Sequence, residues 1–105
     1  MNKIAILKEL KQLIQNRFAD SVDKIILFGS QINGKARDYS DYDILIILKD
    51  DYDWRTENKI LDLCYQIDLK YEIITDIKII SKNDLTTKIG KQPFILDALE
   101  HGVTV

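Results

Sequence analysis

The chain has 105 residues, 46% hydrophobic and 30% charged, which supplies apolar material for one compact core and too little length for two, so a single domain over 1–105 is expected. Fifteen Lys and Arg stand against seventeen Asp and Glu, a formal charge of -2. That balance argues against general nucleic-acid binding, which draws on clustered cations.

In chain order, residues 4 to 18 place Ile4, Leu7, Leu10, Leu13, Ile14 and Phe18 at helical intervals, with Lys8, Glu9, Lys11 and Gln12 on the other face. This predicts an amphipathic helix that needs a sheet or a partner to cover it. The charges scattered through MNKIAILKEL, and the lack of any apolar run near the ~20 residues of a membrane span, point to a soluble, cytoplasmic protein with no membrane role. VDKIILFG reads as a buried strand ended by Gly29. Residues 31 to 40, QINGKARDYS, suit a short helical turn and a loop. DILIIL is a second strand, ended by the Asp-rich KDDYD. The acids Asp50, Asp51 and Asp53 follow a strand and precede a helix, where a solvated loop with a helix cap is expected.

From Trp54 to about Leu69 the helical pattern returns, with Ile60, Leu61, Cys64 and Ile67 expected to face inward and Trp54 as a further candidate. Cys64 is the only cysteine; it excludes an internal disulfide, fits a reducing compartment and reads as a small buried hydrophobe. Residues 71 to 81 are a third strand whose apolar content is interrupted at Asp76. The polar KNDLTTKIGK leads to Pro93, placed for the first turn of a last short helix, FILDALEH, stopped by Gly102. His101, the single histidine, suits the C-terminus of that helix, and 103 to 105 could add an edge strand. The expected fold class is α/β (α+β): a small mixed β-sheet with helices packed mainly on one face.

The chemistry concentrates in LFGSQINGKARDYSDYDILIIL, residues 27 to 48. Side chains alternate along a strand, so Asp41 and Asp43 point to one face. Two close carboxylates repel each other unless a proton or a cation stands between them, and Mg²⁺ is a hard ion that takes carboxylate oxygens together with waters and substrate phosphates. If the second and third strands are neighbours, Asp76 joins the same face. Gly29 permits close backbone approach to a ligand, while the Ser30 hydroxyl and nearby amides can donate to phosphate oxygens. Lys35 and Arg37 could add positive charge to the same phosphates. Tyr39 and Tyr42 flank the acids, either to stack on a base or to pack in the core.

Gly29-Ser30, ten residues, then Asp41-Tyr42-Asp43, with Gly34 and Ser40 between, resembles the signature of the DNA polymerase β-like nucleotidyltransferase superfamily, and most closely its minimal (MNT-type) members. The resemblance runs over nearly the whole chain, through TDIKII and the ending QPFILDALEHGV. After Ser30 the positions are Gln31, Ile32 and Asn33, where many relatives carry basic or small residues. The resemblance implies in-line attack by an acceptor hydroxyl on the α-phosphate of ATP or another nucleoside triphosphate. Asp41 and Asp43 would bind two Mg²⁺ ions, Asp76 would complete the site of the ion that activates the acceptor, and Gly29 and Ser30 would hold the β- and γ-phosphates. It further implies an antitoxin that adenylylates a tyrosine of a HEPN-type ribonuclease toxin. The chain is hardly longer than such a catalytic core, so the acceptor surface is expected from a second protein or a second copy in a homo-oligomer. The alternative is a binding module of this fold that neutralises a partner by masking it, with a degraded nucleotide site; transfer to a small molecule such as an aminoglycoside is a third reading.

Overall fold

A computed structural model describes residues 2–29 and 41–105. The elements run α1 (Lys3–Phe18), β1 (Val22–Phe28), β2 (Tyr42–Leu48), α2 (Trp54–Tyr71), β3 (Thr75–Ser81), two 3-10 turns (Asn83–Thr86 and Lys88–Lys91), α3 (Pro93–His101) and β4 (Val103–Thr104). Local chemistry sets the helix ends. The Asn2 side chain accepts from the N–H groups of Ile4 and Ala5 to start α1, and Asp53 does the same for Arg55 and Thr56 at α2, filling orphan donors of a first turn. Pro93 opens α3, where a missing N–H costs nothing.

The four strands lie in the order β3-β2-β1-β4. β1 pairs antiparallel with β2 and with β4, whereas β2 and β3 are parallel and joined through α2. Alternate residues of the two central strands feed two cores. Ile25, Leu27, Ile44 and Ile46 pack with Leu7, Leu10 and Ile14 of α1 and Ile60, Cys64 and Ile67 of α2. Ile26, Phe28, Leu45 and Ile47 pack with Ile80 and with Ile95 and Ala98 of α3. Covering on both faces explains why IILF and ILIIL are nearly unbroken apolar runs. Each fully buried Leu or Ile contributes about 1.5–3 kcal/mol of transfer free energy. The two long helices share one face, as expected, and the short α3 closes the other.

Two expectations on α2 need correction. Trp54 is 65% exposed and Leu61 37% exposed. The core stripe of α2 is narrow, and at 100° per residue Leu61 falls beside it. Trp54 is the first helical residue, and the Arg55 guanidinium carbon lies 5.1 Å from its ring centroid. Cys64 is buried as expected, and burial, with Asp68 second, pushes its thiol up to about 12, so it stays a neutral hydrophobe. No helix among the described residues is long and apolar enough to cross a membrane.

Candidate active site

The site is built where β1 ends and β2 and β3 begin. Phe28 stands opposite Asp43 in the antiparallel ladder, and Asp43 opposite Asp76 in the parallel one. One row across the sheet, with neighbouring strands about 4.8 Å apart, therefore reads phenylalanine, aspartate, aspartate. All three side chains project to the α3 face, because their strand neighbours Leu27, Ile44 and Ile77 pack in the other core. Helix α3 covers the rows of Ile26 and Leu45, while Asp43 and Asp76 remain only partly buried.

Gly29 follows Phe28 with φ of +75°, a region that disfavours L side chains. A Cβ built there would collide with Oδ2 of Asp43 and lie 3.1 Å from its Cγ. The glycine is thus required twice, by its backbone turn and by the carboxylate that the turn abuts.

Asp43 is pushed above the usual carboxylate range, first by burial and then by the charges of Asp76 and Asp41, with Lys78 opposing. Asp76 has a counter-charge of its own: Lys78 Nζ lies 3.1 Å from its Oδ1. Lys78 is two residues further along the strand and so on the same face, a signal present in the D-x-K spacing of TDIKII that the sequence reading did not use. Asp41 precedes β2 and is exposed. It is near enough to raise Asp43, but it does not complete a cluster: among the described residues, no three His, Cys, Asp or Glu side chains are gathered so as to hold a metal ion. Three ionised carboxylates would repel; Lys78 on Asp76 relieves part of that repulsion, and the rest shows as the raised proton affinity of Asp43. Oxygen-only, anionic and at the surface, the donors Asp43, Asp76 and the nearby Asp41 match the chemistry a hard divalent cation selects, and such a cation would reverse the upward shift of Asp43.

Other sequence candidates resolve as structural. Asp53 caps α2, and Asp51 accepts from the Ser81 hydroxyl at 2.7 Å. Tyr42 is 8% exposed and belongs to the core with α1 and α2. His101 is the exposed last residue of α3, 3.8 Å from Glu100. Ser30, Gly34, Lys35, Arg37, Tyr39 and Ser40, which carry the expected phosphate grip, lie outside the described residues.

Residue 74 was missed for its own reason. Ile73 packs with the α1–α2 core while Ile74 is 61% exposed. Its carbonyl accepts from the Tyr42 N–H at 2.8 Å, so the extended chain already runs here and directs Ile74 to the face of Asp76.

Residues 8–100 match the family described as Polymerase beta, Nucleotidyltransferase. The whole chain is 34% identical, over the full length of both proteins, to Putative protein adenylyltransferase MJ0141 of Methanocaldococcus jannaschii. It is 32% identical to Putative protein adenylyltransferase MJ0604 of the same organism, over 97% of this chain and 96% of that one. The fold resembles a chain of a toxin–antitoxin MntA–HpeT mutant crystal structure, with a TM-score of 0.59, 16% identity and coverage of 99% of this chain and 72% of that one. It also resembles a chain of a toxin–antitoxin crystal structure with AMP-PNP, at 0.57, 16%, 92% and 70%. By the family match and by identity to relatives of the same length, this chain belongs to the polymerase β-type nucleotidyltransferases.

Proposed function

We propose that the protein transfers AMP from ATP to a side-chain hydroxyl of another protein, with Asp41, Asp43 and Asp76 as the acidic centre. The observation that carries this reading is the paired register of Asp43 and Asp76 beside Gly29, at a partly open end of the sheet. The protein adenylyltransferase names of the full-length relatives support the class of acceptor, and the structure with AMP-PNP supports an adenine nucleotide. In the reaction, the acceptor oxygen forms a bond to the α-phosphorus. The bond from that phosphorus to the bridging oxygen breaks, pyrophosphate leaves, and the hydroxyl proton passes to solvent.

Asp41 and Asp43 would hold two Mg²⁺ ions and Asp76 would share the one nearer the acceptor; when bound, the ions stabilise the attacking and leaving oxygens. Gly29 keeps space free for the Asp43 carboxylate, and Phe28 is the residue opposite Asp43 in the ladder. Ser30, Lys35 and Arg37 would hold the triphosphate. Lys78 would move from Asp76 to a phosphate or to solvent as a cation arrives. The toxin–antitoxin setting of the structural neighbours supports an antitoxin role; on this reading the acceptor would be a tyrosine of a HEPN-type toxin.

The test is incubation with α-labelled ATP, Mg²⁺ and the product of the neighbouring gene. Label on that protein, lost with Asp43→Asn and with Asp76→Asn, is the expected result. Protection of cells from the toxin with no label would overturn the transferase reading in favour of masking.

A further inference from the structure

The edge of β3 is closed along one half and open along the other. The Tyr42 N–H donates to the Ile74 carbonyl and the Lys82 N–H to the Leu48 carbonyl, each at 2.8 Å, and the register between them is unbroken. In a parallel ladder that places the N–H and C=O groups of residues 76, 78 and 80 toward β2, and those of 75, 77, 79 and 81 outward. At the far half the outward groups are occupied. The Tyr52 hydroxyl donates to the Ile79 carbonyl at 2.6 Å, and the Ser81 N–H donates to Asp84 at 2.9 Å. At the near half, which carries Asp76, no hydrogen bond within the described residues reaches the backbone groups of Thr75 and Ile77 or the N–H of Ile79.

Helix α2 overhangs this same half. Its Lys70 reaches Glu9 of α1, while Asp68 accepts from the Thr75 hydroxyl at 2.7 Å, so the flank of α2 that carries Asp68 is the one facing β3. On that flank, turned slightly outward, are Leu61 and Tyr65, 37% and 60% exposed. With a rise of 1.5 Å per helix residue against about 3.3 Å per strand residue, they stand roughly three and one strand positions beyond Thr75. On the opposite face of the strand the exposed Ile74 adjoins Asp76.

An open row of alternating donors and acceptors, apolar surface above it and an acid below it specify one kind of occupant: an extended polypeptide. Such a segment completes the ladder and sends successive side chains to opposite faces. We propose that the acceptor protein docks by adding a strand to the Thr75–Ile79 edge, so that an apolar side chain meets Tyr65 and Leu61 while the next one, bearing the hydroxyl, lies beside Ile74 and opposite Asp76. This rests on the transferase reading and names how its substrate is held. Side chains opposite each other on paired strands lie about 4.5–5.5 Å apart at Cβ, which brings the acceptor side chain next to the acid.

The experiment uses the full chain and the product of the neighbouring gene. Amide hydrogen exchange at Thr75 and Ile77 is expected to slow at least tenfold when that protein is added. Ile77→Pro removes an outward N–H without removing a bond to β2, as edge strands tolerate. Tyr65→Lys charges a surface position. Each is expected to lower kcat/KM for label transfer at least tenfold, chiefly through KM, with Mn²⁺ affinity unchanged. Should Ile77→Pro fold poorly, Tyr65→Lys and the exchange data decide alone. Wild-type transfer by folded variants, or unchanged exchange at Thr75 and Ile77 in the complex, overturns the docking mode while leaving the transferase reading intact. Protection of the edge without any label does the reverse. Protection of those amides before the partner is added, in a chain that sediments as a dimer, would mean that a second copy owns the edge and also overturns the proposal. Absence of any binding overturns both readings.

Discussion

The two ends of the β2–β3 pair are both acidic, and they treat their acids in opposite ways. At the end that leads out of the strands, three carboxylates have donors: Asp53 takes two amides of α2, Asp51 takes the Ser81 hydroxyl, and Asp84 takes the Ser81 N–H. The pKa of Asp53 is accordingly lowered, first by its hydrogen bond from Thr56. At the end that leads into the strands, Asp43 faces Asp76 and its pKa is raised. A carboxylate supplied with donors is a structural part, whereas one set against its own kind and left partly open to solvent has a vacancy in its electrostatics that a cation fits.

That contrast can be broken by substitution, and the largest effect expected is on activity. Asp43→Asn should lower label transfer by at least about a hundredfold, since even outer partners of a metal site cost 10–100-fold, while its melting temperature without added metal stays close to wild type. A fall of many degrees would move Asp43 into the structural class of Asp51 and Asp53. Gly29→Ala should destabilise the fold by more than about 1 kcal/mol, because a positive φ and a clash with Asp43 coincide there; chemical denaturation measures it, and a neutral result would show that the turn relaxes. Ser81→Ala, at a side chain only 1% exposed, should cost about 1 kcal/mol by leaving Asp51 short of a donor, with transfer activity retained in folded protein.

The smallest effect is on pH dependence, and there the two ends have opposite signs. The folded state holds the Asp43 proton where the unfolded chain has released it, so this contribution to stability falls as pH rises from about 3.8 through the raised folded value. Asp53, lowered from 3.8, adds stability above that value and loses it as pH falls through its folded pKa. Urea titrations of Asp43→Asn should lack the decline above pH 4 and keep the one below it; an unchanged upper limb would contradict the assignment to Asp43.

Much of this was legible in the sequence, for physical reasons that differ by element. The unbroken runs IILF and ILIIL could only be central strands, and a lone aspartate in TDIKII on a neighbouring strand had to meet Asp43 if the register was parallel and in step. The purpose of Gly29 was only half legible: close backbone approach at the strand exit was expected, but not the positive φ, and the carboxylate that fills the space of its missing Cβ depends on a contact across strands. The exposure of Trp54 and Leu61 was not legible, because periodicity gives the direction of a stripe and not its width. Nor was the open edge beside Thr75, since which backbone groups lack partners is decided by where Tyr52 and Asp84 end up, far from it in sequence.

On the proposed reading, the carboxylates at the open end of the sheet, and not those at the capped end, take the divalent cation. Titration of the ¹⁵N-labelled chain with Mn²⁺ tests it most directly. The expected result is selective broadening of the amides of Gly29, Asp43, Ile44, Asp76 and Ile77 at low metal concentration, lost in Asp43→Asn. Broadening centred on Asp50–Asp53, or uniform broadening with no preferred end, would contradict it.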